Sequence, residues 1–415
     1  MSQSFEFWFD FSCPYAYLAS TQVEALSQRT GAKIRPRPLL LGGVFRAVSQ
    51  PQNLAASLPP PKALHNHNDL RRHSELYGVP LRFPETHPMR TVLALRCLLV
   101  VGEPFLPLAH RFFRAYWADG VDLSSREGVA GVLRAAGLEP EPILEAATSQ
   151  SIKDELRVRT QEAIDRGVFG VPAFFVGDQL YWGQDRLHEV ERVLGGAPEE
   201  LVDSSASIES AAVDFWFDYS SPFAYLASTR VERRFGSKLR FRPMLLGAVF
   251  REVGTVNVPL LAMSESKRAF QTIDMARQAA HHGVELRWPD NFPLRTVLPL
   301  RVTLLALQQY PAQATALIHR IYRACWVQGL DPAREDIVAG LCEDVGLPAE
   351  LVAQASLPEV KDALRQSTAE AVAAGVFGAP SYVVHGDGGE PQLFWGSDRL
   401  ELAVRAARAV MPDSL

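Results

Sequence analysis

The apolar and polar positions of this chain predict the same order of elements twice. Each half begins with a short alternating strand, passes through a helix that opens at a Pro, and reaches a second strand. A long stretch of helical apolar spacing with Pro and Gly follows, and two strands and a helix end each half. The opening strands are predicted at Phe5 to Phe9 and Ile34 to Leu41, and at Val213 to Phe217 and Leu239 to Leu246.

The two halves are copies of one unit of about 200 residues. FWFDFSCPYAYLAS at Phe7 matches FWFDYSSPFAYLAS at Phe215, and GVP at Gly170 matches GAP at Gly378, both at an offset of 208. Between them, PMRTVLALR matches PLRTVLPLR at an offset of 205. Because the offset falls and then recovers, the length changes are expected in loops.

The repeat predicts an α/β protein with two thioredoxin-like folds, each interrupted by an all-helical insertion domain. The expected first domain is 1–196 with its insertion at about 44–166, and the second is 212–415 with its insertion at about 249–374. Residues 197–211, APEELVDSSASIESA, are small, polar and acidic, and we expect them to form a flexible linker.

Composition narrows the classes of partner. The formal net charge is −5 with no block of like charges, which argues against nucleic acid and anionic membrane as partners. The N-terminus lacks the basic start and apolar core of a signal peptide, so a cytoplasmic protein is expected. The four cysteines are scattered without metal-ligand or disulfide spacing, and we predict no metal site.

The helix starts are the first candidates for chemistry. Cys13 and Ser221 each precede the Pro that opens a helix, so the positive end of the helix dipole and unpaired N–H groups would stabilise a thiolate or a bound anion there. For Cys13 this predicts a lowered pKa. The alternative is that both residues are simply N-caps. A resolving cysteine would stand three residues on, where the chain has Ala16 and Ala224, so two-cysteine disulfide exchange is not expected.

Two more motifs recur at fixed distance from the helix starts. GVP and GAP each place a Pro before a strand, and in thioredoxin folds this Pro is cis, faces the helix start, and leaves the preceding backbone free for a peptide-like ligand. GQDR at Gly183 and GSDR at Gly396 place Gln or Ser and then Asp at a helix N-terminus. These residues either cap the helix or hold an amino-acid head group, with the Asp paired to an α-ammonium.

Basic residues recur in the helical insertion. Lys62 and Lys267 correspond, as do Arg90 and Arg295, and a cation facing the cleft would suit a substrate carboxylate. Surface charge is the alternative. His65 and its neighbour His67 have no counterpart in the second copy, and we expect them on the surface.

With these motifs, each copy resembles the family of 2-hydroxychromene-2-carboxylate isomerases and kappa-class glutathione transferases, relatives of DsbA-type oxidoreductases. The resemblance covers almost all of each copy, including FDxSSPxAYLA, P-x-x-T-x-x-x-x-R, FGVP and WGxDR. It implies a thioredoxin fold with a helical insertion, glutathione as the cofactor, and a homodimer, which a fused pair of copies would replace by an intramolecular pseudo-dimer. The chain would then be compatible with a monomer.

The resemblance also implies roles for residues. The family's catalytic Ser falls on Ser221 and, in the first copy, on Cys13. The implied glutathione contacts are Val171, Pro172, Gln184 and Asp185 in the first copy, and Ala379, Pro380, Ser397, Asp398 and Asn257 in the second, with Asn53 a weaker counterpart of Asn257. The implied substrate contacts are Lys62, Lys267, Arg90 and Arg295.

The chain departs from the family pattern at three places. Cys13 replaces the Ser of the isomerase branch, His65 and Phe270 replace a Tyr three residues after the Lys, and an arginine replaces the Asn before the Thr of P-x-x-T. The second copy is nearer the family at the catalytic and head-group positions, so we expect it to be the more active.

The leading interpretation is a glutathione-dependent isomerase or transferase that acts on aromatic-derived carboxylate substrates by reversible addition of the glutathione thiolate. One alternative is a monothiol thiol-disulfide oxidoreductase that uses Cys13. Another is a duplicated binding or scaffold protein in which one site has decayed.

Overall fold

The computed structural model describes residues 3–198, 211–386 and 389–409, and the chain forms two compact units. Unit 1 contains most of the first repeat together with Ser264–Phe270 of the second. Unit 2 contains most of the second repeat together with Pro59–His65 of the first. Most of the predicted linker, residues 199–210, lies outside the described residues. The expected pseudo-dimer stays a prediction.

The first repeat has the predicted order of elements. They are β1 (Ser4–Phe9), α1 (Pro14–Ser20), α2 (Val23–Thr30), β2 (Lys33–Pro38), α3 (Leu41–Ala47), α4 (Pro60–Tyr77), α5 (Val92–Val101), α6 (Phe105–Trp117), α7 (Arg126–Ala135), α8 (Pro140–Ala146), α9 (Gln150–Asp165), β3 (Ala173–Val176), β4 (Gln179–Trp182) and α10 (Leu187–Val193).

The second repeat follows the same plan. Its elements are β5 (Ala212–Phe217), α11 (Pro222–Phe235), β6 (Leu239–Pro243), α12 (Leu246–Glu252), α13 (Glu265–His281), α14 (Val297–Gln309), α15 (Pro311–Arg323), α16 (Glu335–Glu343), α17 (Leu351–Gln354), α18 (Pro358–Ala373), β7 (Ser381–His385), β8 (Gln392–Trp395) and α19 (Leu400–Ala409).

Each repeat builds one four-stranded mixed sheet. The strand orders are β2-β1-β3-β4 and β6-β5-β7-β8. The first two strands of each repeat are parallel, the third pairs antiparallel with the first, and the fourth pairs antiparallel with the third. One face of the central strand β1 carries Phe5, Phe7 and Phe9, all buried, and the Phe7 ring stacks on Phe174 of β3 with centroids 5.4 Å apart. The predicted pair of thioredoxin-like folds is confirmed.

The second strand of each repeat is shorter than predicted. β2 ends at Pro38 and β6 at Pro243, three residues before the predicted ends at Leu41 and Leu246. The N–H groups of Leu41 and Leu246 donate to the buried carboxylates of Asp10 and Asp218, each at 2.8 Å. These bonds fix the first turns of α3 and α12, so the leucines open a helix and do not extend the ladder. None of the helices in the described parts of the chain combines the length and apolar character that crossing a bilayer requires.

Candidate active sites

Ser221 lies at the start of α11, in unit 2, with both of its hydrogen-bonding functions in use. Its Oγ accepts from the N–H of Ala224 at 3.2 Å, which is the bond expected of an N-cap. The same hydroxyl donates to the carbonyl of Ala379 at 3.0 Å. The helix start and the GAP loop therefore meet at one hydroxyl group, which is 4% exposed.

Cys13 occupies the matching place at the start of α1, in unit 1. Its thiol donates to the carbonyl of Val171 at 3.0 Å and makes no capping bond to the helix. Cys13 thus contacts the GVP loop as Ser221 contacts the GAP loop, but it does not cap its helix as Ser221 does.

The expected lowering of the Cys13 pKa is wrong. Burial raises the pKa of Cys13 to about 12, and the N–H groups of Ala16 and Tyr15 offset only part of this effect. The nearby carboxylate of Asp10 adds to the rise. A thiol that is 7% exposed loses more from desolvation than a helix start returns, because water solvates a thiolate better than two backbone dipoles do.

The prolines of the two loops are cis, as the thioredoxin-like order predicts. The Val171–Pro172 and Ala379–Pro380 peptide bonds both have this geometry. The carbonyl that precedes each Pro is the one that Cys13 or Ser221 contacts. The structure therefore brings the predicted helix starts and GxP loops together in both units.

GQDR of unit 1 and GSDR of unit 2 are called the head-group motifs below, after their predicted role. In unit 2, Ser397 of this motif contacts a chain of buried polar side chains. The hydroxyl of Ser397 donates to Oε1 of Gln278 at 3.0 Å, and Nε2 of Gln278 donates to Oδ2 of Asp274 at 2.7 Å. All three side chains are buried. Because the Ser397 hydroxyl already donates its proton to Gln278, its oxygen can contact a ligand only as a hydrogen-bond acceptor.

Unit 1 fills the same place with different side chains. Gln184 stands for Ser397, and the position of Gln278 is taken by His73, whose Nδ1 lies 2.8 Å from the carbonyl of Asp69. The Nε2 atom of Gln184 is buried and has no hydrogen-bond acceptor among the described residues. The two head-group loops are therefore chemically different, although their backbones are built alike.

The acidic residue of each motif lies at the surface of its loop. The side chains of Asp185 and Asp398 are 20% and 23% exposed, and each carboxylate lies beside the arginine that follows it, at 3.4 and 3.2 Å. A carboxylate that remains partly exposed at the start of a helix can still pair with a ligand cation.

Each of the two predicted lysines belongs to the compact unit that the other repeat mainly forms. Nζ of Lys62 lies 5.1 Å from the ring centroid of Trp395 in unit 2, and Nζ of Lys267 lies 5.2 Å from Trp182 in unit 1. Each tryptophan directly precedes a head-group motif. Burial lowers the pKa of Lys62.

His65 is buried, so the expectation that it is a surface residue is wrong. The backbone N–H of Trp395 donates to its Nε2 at 3.1 Å, and its ring lies edge-on to Phe377 with centroids 5.4 Å apart. In unit 1, Phe270 takes this place and packs on Phe169 and Trp182. His67 is exposed, as expected.

Arg90, Arg295 and Asn257 are less closely tied to the sites. Both arginines are exposed, and no hydrogen bond or ion pair within the described residues links them to a helix start. Asn257 is exposed beside the first turn of α12, since a Cβ on Gly247 would meet its Oδ1 at 2.9 Å.

In the first repeat, Gln52 lies against Gly42 as Asn257 lies against Gly247, and the role suggested for Asn53 stays a prediction. Nε2 of Gln52 donates to the carbonyl of Gly42, in the first turn of α3, whereas Asn53 accepts from the N–H of Ala56 in its own loop. The 205-residue offset, which already applies in this region, would have identified Gln52.

Sequence reasoning missed the two aspartates of the duplicated opening motif. Asp218 accepts from the N–H groups of Ser220 and Leu246 and from the hydroxyl of Thr296, at 2.6 to 2.9 Å, and Asp10 makes the same set of contacts. Burial raises the pKa of both carboxyls. The signal was present, because FD and the Thr of P-x-x-T recur in both copies.

Comparison with known proteins places each repeat with the same group. The sequence model of the family described as "DSBA-like thioredoxin domain" matches residues 5–195 and again 212–407. A 2-hydroxychromene-2-carboxylate isomerase of Pseudomonas sp. (strain C18) is 32% identical over 46% of this chain and 91% of its own length, and that of Sphingobium xenophagum is 31% identical over 47% and 99%.

More distant relatives carry a second name. Glutathione S-transferase kappa 1 of Homo sapiens is 25% identical over 46% of this chain and 88% of its own. A solved 2-hydroxychromene-2-carboxylate isomerase is 28% identical and covers 46% of this chain and 94% of its own, with a TM-score of 0.41. The three relatives matched by sequence each correspond to about half of the chain, which fits a tandem duplication.

Proposed function

Since the chain belongs to the family of DSBA-like thioredoxin domains, which it contains twice, we propose that it is a glutathione-dependent isomerase or transferase of the 2-hydroxychromene-2-carboxylate isomerase type. The similar proteins named above are isomerases and a glutathione transferase, so enzymatic activity is common to all of them. We assign the main activity to unit 2.

One observation carries the proposal. Ser221 stands at the start of α11 with its hydroxyl shared between the Ala224 N–H and the carbonyl of Ala379, next to a cis proline. A thiolate that approached this point would meet a hydroxyl able to turn its proton away from the carbonyl, together with N–H groups at the positive end of a helix. The site is thus built to stabilise a sulfur anion without supplying one.

The residues of unit 2 fit glutathione in their chemistry. The backbone beside Ala379 and Pro380 would hold its cysteinyl part, as expected for a peptide-like ligand next to a cis proline. The Ser397 oxygen, as an acceptor, and the carboxylate of Asp398 would hold the γ-glutamyl ammonium. When bound, glutathione supplies the thiol that adds reversibly to an electron-poor double bond.

We assign the substrate to anionic, aromatic-derived carboxylates. Lys62 is the cation that unit 2 places against Trp395, next to the head-group loop. A cation above an aromatic ring there would favour a substrate with both a carboxylate and a flat apolar part.

The test is calorimetry and turnover on the intact, reduced protein. We expect glutathione to bind, and we expect glutathione-dependent isomerisation of 2-hydroxychromene-2-carboxylate, followed by its ultraviolet absorbance. Replacing Ser221 by Ala should lower kcat/KM by about 100-fold, as loss of one anion-stabilising donor does in other enzymes. Replacing Cys13 by Ala is the matched control and should change it by less than about threefold.

Two results would reject the proposal. One is the absence of glutathione binding at millimolar concentration. The other is full turnover in a chain that carries both Ser221→Ala and Cys13→Ala, which would mean that neither helix start is catalytic. The monothiol alternative gains no support from the structure, because the pKa of Cys13 is raised.

A further inference from the structure

A basic pocket in unit 2 is lined by residues other than those assigned to the site above, and it adjoins that site through the bond from Arg230 to the carbonyl of Ser397. It has a volume of about 580 Å³ and is formed between α11, the end of α13 and the end of α15. Its charged and titratable lining consists of Arg230, Arg233, Arg323, His281, His282 and Glu285. Three arginines against one carboxylate give an excess of positive charge in a chain whose net charge is −5.

The first repeat serves as an internal control for this pocket. At the matching positions it has Gln22 for Arg230, Ala25 for Arg233, and Leu76 and Tyr77 for the two histidines. One contact around the pocket is shared, since the hydroxyl of Tyr17 donates to the carbonyl of Pro80 at 2.8 Å and that of Tyr225 donates to the carbonyl of Glu285 at 2.7 Å. The helix itself differs, because the first repeat breaks between α1 and α2, at Gln22, where α11 is continuous. The repeat therefore folds without Arg230, Arg233 or the two histidines, whereas Arg323 has the counterpart Arg114.

Helix ends alone do not explain the charge. Basic residues commonly complement the negative C-terminal ends of helices, and His281 and Arg323 end α13 and α15. Yet α4, the counterpart of α13, ends at Leu76 and Tyr77 without a basic residue. The concentration of cations is specific to the second repeat and exceeds what one helix end needs.

The three arginines differ in the hydrogen bonds and ion pairs that they make within the protein. Arg323 pairs with Glu285 at 3.2 Å, and Arg230 donates one Nη to the carbonyl of Ser397 at 3.0 Å. Arg233 is exposed at the pocket, three residues along the helix from Arg230. Arg233 and Arg230 both line the pocket, and arginine binds oxyanions through two parallel N–H donors.

We propose that this pocket binds a small oxyanion with at least two negative charges, of the phosphate-ester or dicarboxylate class. A single charge would be balanced by Arg233 alone, whereas Arg230 beside it favours a second. The volume lies in the range of small-molecule sites, so it admits a ligand larger than inorganic phosphate. Ligand binding here does not depend on glutathione use at Ser221.

The test is calorimetric titration of the intact protein with pyrophosphate and, separately, with citrate, at two salt concentrations. The two probes distinguish a phosphate-type ligand from a carboxylate one, and we expect at least one of them to bind, more weakly at high salt. Arg233→Ala, which installs the residue of the first repeat, should weaken that binding at least tenfold, as expected for the loss of a charge-assisted hydrogen bond.

The control removes one positive charge elsewhere in unit 2. Arg365 is exposed and pairs with Asp362, so Arg365→Ala should leave the affinity within about twofold if the pocket, and not the overall charge, binds the anion. Arg230→Gln should also weaken binding, because it removes the second cation of the pocket. Failure of both probes to bind, or equal binding by wild type and Arg233→Ala, would overturn the proposal.

Discussion

At the scale of single residues, the most informative position is Cys13, because burial and the helix start act on it in opposite directions. With a pKa of about 12, only roughly one thiol in 10⁵ would be ionised at pH 7, against a few per cent for an ordinary exposed cysteine. We therefore expect Cys13 to react slowly with iodoacetamide at pH 7, and its rate to keep rising with pH beyond pH 10. Alkylation rates read for each cysteine by mass spectrometry would check this.

The other cysteines provide the comparison. Burial also raises the pKa of Cys97 to about 12 and that of Cys342 to about 11, so no fast phase is expected from either residue. A rate for Cys13 that levels off below pH 8 would show that the helix start outweighs desolvation, and it would restore the monothiol alternative.

Cys13 also shows what a sequence can and cannot predict about a site. The chain shows directly that a Cys or Ser precedes a Pro at a helix start, and the structure puts both residues there. Burial depends on contacts with segments that are distant in the sequence, such as that of Val171 with Cys13, and no local sequence pattern predicts it. Chemical identity was therefore predictable, while the direction of the pKa shift was not.

At the scale of elements, the loop that enters β7 is packed against the indole that precedes the head-group motif. A Cβ on Gly378 would lie 2.4 Å from Nε1 of Trp395, whereas a Cβ on Gly170 would lie 3.0 Å from Nε1 of Trp182. Gly378→Ala should therefore destabilise the protein by about 1–3 kcal/mol, since overpacking forces backbone or ring to move. Gly170→Ala, the matched change in unit 1, should cost less.

Urea unfolding of both variants would measure this difference. Because Lys62 lies over the same indole and the His65 ring lies edge-on to it, Gly378→Ala should also reduce glutathione affinity in the proposed site. Equal stability of the two variants would mean that the loop relaxes without strain, and the tight Gly378–Trp395 contact would then have no role in holding the loop.

Elements were predicted well where their signal is local, and less well where it is not. The period-two pattern of β1 and the Pro that opens α1 belong to the chain itself, and both predictions are confirmed. The end of β2 depends on a carboxylate about 30 residues away, Asp10, which captures the N–H of Leu41. A strand boundary that is set by such a bond cannot be predicted from the residues of the strand alone.

At the scale of the whole molecule, comparison of the two repeats predicts which residues correspond, but not which compact unit each residue joins. The two lysines show this limit. The sequence pairs Lys62 with Lys267 correctly, but the compact unit that each lysine joins depends on packing beyond the repeat. Lys62 belongs with Ser221, in unit 2, and Lys267 belongs with Cys13, in unit 1.

This placement predicts which lysine serves which site. In a Cys13→Ala background, where we assign the remaining turnover to Ser221, Lys62→Ala should lower kcat/KM by about tenfold, because it removes the cation beside Trp395 and the head-group loop. Lys267→Ala in the same background should have less than a twofold effect, although Lys267 lies in the same repeat as Ser221. The larger loss on Lys267→Ala would mean that each lysine serves the helix start of its own repeat, which would contradict the composition of the two units seen here.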